Sequence, residues 1–160
     1  MAEVAAALGA TATRALGDAP NDVEMLETGS KVAKLNGHPY NLPNLKRYGG
    51  VCAMQADFAS RVAKSLGVPA AYVGGESRSG ERHAWVMWVE LGRVTPTGFT
   101  FSLESNGRFR GDRYYVGHLN DPHTGERTTD RDLERRLHTV GLDPLAKRQA
   151  DLVMRAYPML

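Results

Sequence analysis

The chain has 160 residues, 42% of them hydrophobic and 24% charged, the balance of one soluble globular domain large enough for its own core. Twenty basic against 18 acidic residues leave a formal charge of +2. That margin is too thin for a nucleic-acid surface, which needs clustered positive charge. No run approaches the ~18 apolar residues of a membrane span, and the Ala-rich start lacks the basic and apolar regions of a signal peptide. A single cysteine excludes an intrachain disulfide, so nothing points to an oxidising compartment and a cytoplasmic setting is expected.

In chain order, Ala2 to Leu16 reads as a helix ending near Gly17, and Asn21 or Asp22 is placed to cap a second short helix through Leu26. Asn36 to Gly50 is rich in Asn, Pro, Gly and His and reads as loop. Cys52 to Leu66 is the clearest helix: Ala56, Ala59, Ala63 and Leu66 recur at spacings of three and four, Gly67 supplies the stop, and Gly49-Gly50 allow a sharp entry. Val68 to Val73 reads as a short strand, followed by a polar turn from Gly74 to Arg82. The stretch His83 to Leu91 is apolar on both faces, as a central strand would be.

Gly92 to Gly98 turns the chain, and Phe99 to Glu104 alternates as a half-buried strand. Arg113 to Val116 adds one more strand, and Asn120 to Gly125 is loop. Helices are expected from about Arg131 to Val140 and from Pro144 to Ala156, the latter capped by Asp143. Arg131, Arg135 and Arg136 interleave with Asp130, Asp132 and Glu134, which reads as a solvated helix face. The stop at Tyr157-Pro158-Met159-Leu160, directly behind a helical pattern, leaves open a domain cut from a longer protein. The expectation is one α+β domain, with N-terminal helices in 1–35, a core in 48–116 and C-terminal helices in 130–157.

Cys52 stands in the first turn of its helix, where unpaired N–H groups and the dipole favour a thiolate and can hold an oxyanion. A buried small hydrophobe is the competing reading. His83, at the start of a strand, supplies the imidazole such a nucleophile needs to move its proton.

The run Tyr48-Gly49-Gly50-Val51-Cys52-Ala53-Met54-Gln55-Ala56, then Leu66-Gly67-Val68-Pro69-Ala70, then His83-Ala84-Trp85-Val86, resembles the core of the transglutaminase-like superfamily, over about Tyr48 to Leu103. The resemblance implies a papain-like arrangement, a nucleophile helix packed on an antiparallel sheet, with Cys52 as nucleophile and His83 as general base. It implies a protein or peptide substrate and no cofactor. Members include crosslinkers, amidases, proteases and inactive relatives, so the reaction is open between hydrolysis and transamidation.

The family's third residue is usually an Asp on the next strand. No Asp occurs there, so Glu104 is the first choice for orienting His83, with Asn106 the alternative. For the second oxyanion donor, Tyr48 and Asn44 are candidates; Tyr48 also stands as a substrate contact. Trp85 and Trp88 point to opposite faces, and Trp85, on the face of His83, is a candidate wall of the substrate groove. His118, His123 and Asp121 fit no metal-ligand spacing. Two further readings are carried: a non-catalytic interaction module with the same fold, and a redox-sensing thiol, which lacks a resolving cysteine.

Overall fold

The computed structural model describes residue 22, residues 33–95, 98–121 and 124–140, and residues 145, 148 and 152. The expected helices at Ala2 to Leu16, through Leu26, and from Pro144 to Ala156 lie outside the described residues or touch them only at isolated positions. The architecture is α+β, an antiparallel sheet with helices. No helix among the described residues is long and apolar enough to cross a membrane.

Helix α1, Leu42–Tyr48, occupies the stretch read as loop. Its residues are few, but the ends are well specified. The Asn41 carboxamide oxygen accepts the Asn44 N–H at 3.0 Å, Pro43 lies in the first turn, and Gly49, at φ +72°, closes the end. Gly50 follows, its carbonyl accepting the Asp22 N–H at 3.1 Å. Helix α2, Cys52–Ser65, then begins at the cysteine itself.

The ends of α2 contrast. At its C-terminus the N–H of Gly67, at φ +77°, bonds Lys64 and that of Val68 bonds Ala63, a complete Schellman stop. At its N-terminus the cap residue is Val51, whose side chain makes no capping hydrogen bond. Small residues Ala56, Ala59, Ser60 and Ala63 are buried along one stripe of α2, which brings its axis close to the sheet. Phe58 packs with Leu35 and Leu45 on the α1 side.

Strands β1 (Ala70–Ser77), β2 (Arg82–Thr95), β3 (Gly98–Glu104), β4 (Phe109–Arg110), β5 (Arg113–Asn120) and β6 (Arg127–Thr129) form the sheet in the order β3-β2-β1-β5-β4, with β6 beside β5. Every pairing is antiparallel. β2 is interior, as its two apolar faces require. It runs four residues past the expected Leu91, with an irregular register between Leu91 and Val94, so the hairpin turns later than expected. Helix α3, Asp130–Val140, follows β6 directly.

Strand alternation sorts the residues between two faces. His83 pairs with Gly75 and Gly75 with Gly117, so these share one face with Val73, Trp85, Met87, Tyr115 and Leu119. That face packs against Leu133 of α3. Ala84 pairs with Gly74 and Gly74 with His118, which puts them with Tyr72 on the other face. Helix α2 lies over β1 and β2 there and contributes nothing to the aromatic cluster behind.

On the α3 face the core is partly polar. The Trp85 indole N–H donates to Ser105 Oγ at 2.8 Å, and Ser105 donates to Asp130 Oδ2 at 3.0 Å. The Arg108 guanidinium meets Asp130 at 2.9 Å and Glu134 at 3.0 Å. Asp130 and Arg108 are 1% and 5% exposed. The acidic residues interleaved along α3 are therefore not all solvated: Asp130 is a buried counter-ion, whereas the Arg135–Asp132 pair at 3.1 Å and the Arg131–Glu134 pair at 3.9 Å fit the expected exposed face. Glycine at 107 is required by this packing, since a Cβ there falls 2.1 Å from Trp85 Cβ.

Candidate active site

Cys52 is a free, half-buried thiol at the first position of α2. Among the described residues no side chain caps the first N–H groups of α2, which stand at the end where the helix dipole is positive. Cys52 and Ala53 border a cavity of about 1150 Å³ whose floor is β1 and β2, with Tyr72, Gly74, His83, Ala84 and His118 on its walls. The fold thus brings the two residues chosen from the sequence, Cys52 and His83, to one cavity, from positions 31 residues apart.

It does not join them. Among the described residues no hydrogen bond links Cys52 to His83, and His83 Nδ1 is buried without a hydrogen-bond partner. The reason is strand alternation. The His83 ring stacks near Trp85 at 5.8 Å between centroids and against Tyr115 at 5.1 Å, both on the α3 face. Burial there, and secondarily the Arg110 charge, push the His83 pKa below its ordinary value, with Glu81 opposing, so the imidazole favours its neutral form. His118 stands in β5, beyond the expected strand end at Val116, in register with Gly74 and directed to the α2 face. It is the imidazole on the same side of the sheet as Tyr72 and Ala84.

The expected third residues do not reach His83. Glu104 pairs with Trp88, five residues along β2 from His83 and on the opposite face. Its carboxylate accepts from Ser102 Oγ and from the Asn106 amide, both at 2.9 Å. Asn106 is exposed and donates to Glu104 rather than accepting from an imidazole. Both assignments are therefore corrected: the long β2 and late hairpin slide β3 away from the His83 row.

Trp85 is corrected likewise. It is 6% exposed, in the core, and its N–H is engaged by Ser105, so it does not wall a groove. Tyr48 is stacked on His38 at 4.3 Å with the Arg47 guanidinium over its ring, and it is not among the residues bordering the cavity. The Asn44 amide donates to the Pro39 carbonyl at 2.8 Å, within the α1 turn. Asp121 holds Arg136 at 2.6 Å, and His123 lies outside the described residues.

The residue missed from sequence is Tyr72. It borders the cavity, and its ring and hydroxyl lie within 4 Å of the point where a Cβ on Gly74 would sit. Burial, then the neighbouring Cys52 and Asp57, push its pKa above the usual phenol value. Its place in the Tyr72–Val73 alternation was the available signal, since Val73 is an obvious core residue and Tyr72 must then face the other way. No family model matches the chain, nor does any curated protein or solved structure.

Proposed function

We propose that the chain is a cysteine-dependent acyl-transfer enzyme acting on peptide or side-chain amide bonds through a thioester. One observation carries this reading: Cys52 begins an uncapped helix and opens onto a large cavity bordered by two histidines. The Cys52 thiolate attacks the carbonyl carbon, and the carbonyl electron pair moves to oxygen beside the free N–H groups of α2. Collapse expels the amine, which takes a proton from an imidazole, and water or a second amine then releases the acyl group.

The family resemblance assigns the imidazole role to His83. Strand alternation favours His118, which faces the α2 side. Alkylation of Cys52 by iodoacetamide, followed across pH, tests both the nucleophile and its base. The expected result is alkylation at pH 6 faster than that of a free thiol. That advantage is lost in whichever of His83→Gln and His118→Gln removes the base. Reaction no faster than a free thiol in the unaltered protein sinks the proposal.

A second reading, a non-catalytic module that docks a protein partner, is favoured by the absence of a hydrogen bond from Cys52 to either histidine among the described residues. An unactivated thiol would support it.

A further inference from the structure

This inference rests on reading Cys52 as an acyl-transfer nucleophile and names a residue that reading lacks. A tetrahedral adduct on Cys52 places a full negative charge on the former carbonyl oxygen. Main-chain N–H groups at the start of α2 supply part of its stabilisation, and sites of this chemistry combine such groups with a further donor. The donors suggested by the sequence are engaged elsewhere, Tyr48 in its stack on His38 and Asn44 on the Pro39 carbonyl.

Tyr72 is differently placed. Its side chain runs along β1 over Gly74, with Cε1 3.6 Å and the hydroxyl 3.9 Å from where a Cβ on that glycine would stand. Apart from the residues flanking Gly74 in the chain, no other atom of the described residues lies within 4 Å of that point. It shares the cavity with Cys52 and lies near enough for the two groups to interact electrostatically. The neighbouring phenol, Tyr40, is engaged by the Asp57 carboxylate, whereas Tyr72 makes no hydrogen bond with any described residue. We infer that the Tyr72 hydroxyl is a catalytic oxyanion donor, completing with the α2 N–H groups the pocket for the tetrahedral intermediate on Cys52. The upward shift of its pKa keeps the proton on this oxygen through neutral pH, so it acts as donor and not as a competing anion.

The test separates two reactions of the same sulfur. With p-nitrophenyl acetate, the Cys52 thiolate forms a C–S bond at the carbonyl carbon and the π pair moves to oxygen. Collapse then expels p-nitrophenolate and leaves an acetyl thioester, which water hydrolyses to acetate and free thiol. With iodoacetamide, the thiolate displaces iodide at a saturated carbon and no oxyanion forms.

Unaltered protein should give a burst of p-nitrophenolate that Cys52→Ala abolishes. Tyr72→Phe, which keeps the ring at a position already 40% exposed, should slow the burst on the order of 100-fold. The same variant should leave the iodoacetamide rate within about twofold, since that reaction draws nothing from an oxyanion donor. Equal bursts from the unaltered protein and Tyr72→Phe overturn the inference while leaving the acyl-transfer reading intact. Equal slowing of both reactions also overturns it, because Tyr72 would then act on the thiolate. No Cys52-dependent burst from the unaltered protein overturns both.

Discussion

On the α3 side of the sheet, Trp85, Ser105, Arg108, Tyr115 and Asp130 are each less than a tenth exposed, and all but Tyr115 are joined by hydrogen bonds or an ion pair. On the α2 side, Cys52, Tyr72 and His118 border open space, and neither the thiol nor the Tyr72 hydroxyl bonds to a described residue. The α3 side is a largely bonded scaffold, although His83 Nδ1, the Tyr115 hydroxyl and Asp130 Oδ1 are buried there without a hydrogen-bond partner; the open polar groups of the α2 side are the ones a ligand can reach. The contrast teaches which side should respond to substitution in stability and which in reactivity.

The largest effect expected is on the open side. Cys52→Ala should remove all thiol labelling and acyl chemistry, while the urea midpoint stays put because the site is half exposed. A loss of 2 kcal/mol or more, about what deleting a tightly packed group costs, would place Cys52 in the packed side and break the contrast. Arg108→Ala should be next. It strands the Asp130 carboxylate, 1% exposed, without its counter-ion, for a loss of ~3–5 kcal/mol in urea unfolding. The Cys52 alkylation rate in the folded fraction should not change. Ser105→Ala should cost about 1–3 kcal/mol, because it removes the acceptor of the Trp85 N–H and a donor to Asp130. Near-UV circular dichroism of the indole should report it, and an unaltered spectrum would mean the bond is not made.

The smallest effect concerns pH. His83 has its folded pKa depressed by burial, so below the unfolded value of about 6.5 the unfolded chain binds more protons than the folded one. Stability should therefore fall as pH drops through that value and on toward the depressed folded pKa. His83→Gln should flatten this part of the curve. An unchanged slope would show that His83 is not the group buried neutral.

Much of the fold was legible where a repeating pattern meets a firm stop. The Ala56-Ala59-Ala63 stripe ended by Gly67 identified α2 within a residue, and the aromatic run from His83 marked an interior strand. Helix α1 was missed because Asn, Pro and Gly were read as loop composition, although Asn41, Pro43 and Gly49 are its cap, first turn and terminator. The site was legible only as a set of neighbours. Period-two alternation shows that His83 and Trp85 share a face, but which face α2 covers is decided by long-range packing. Glu104 failed for a related reason: hairpin register depends on where β2 stops, and no residue in the run to Thr95 announces it.

The row His83–Gly75–Gly117 and the adjacent row Ala84–Gly74–His118 place three glycines side by side in the middle of the sheet. A Cβ at Gly75 or Gly117 would collide with the Trp85 ring, so bulk is barred there. The wall between cavity and core is at that point only one peptide layer deep. A substitution at Gly75 or Gly117 would therefore be expected to disturb the packed face and the cavity floor together.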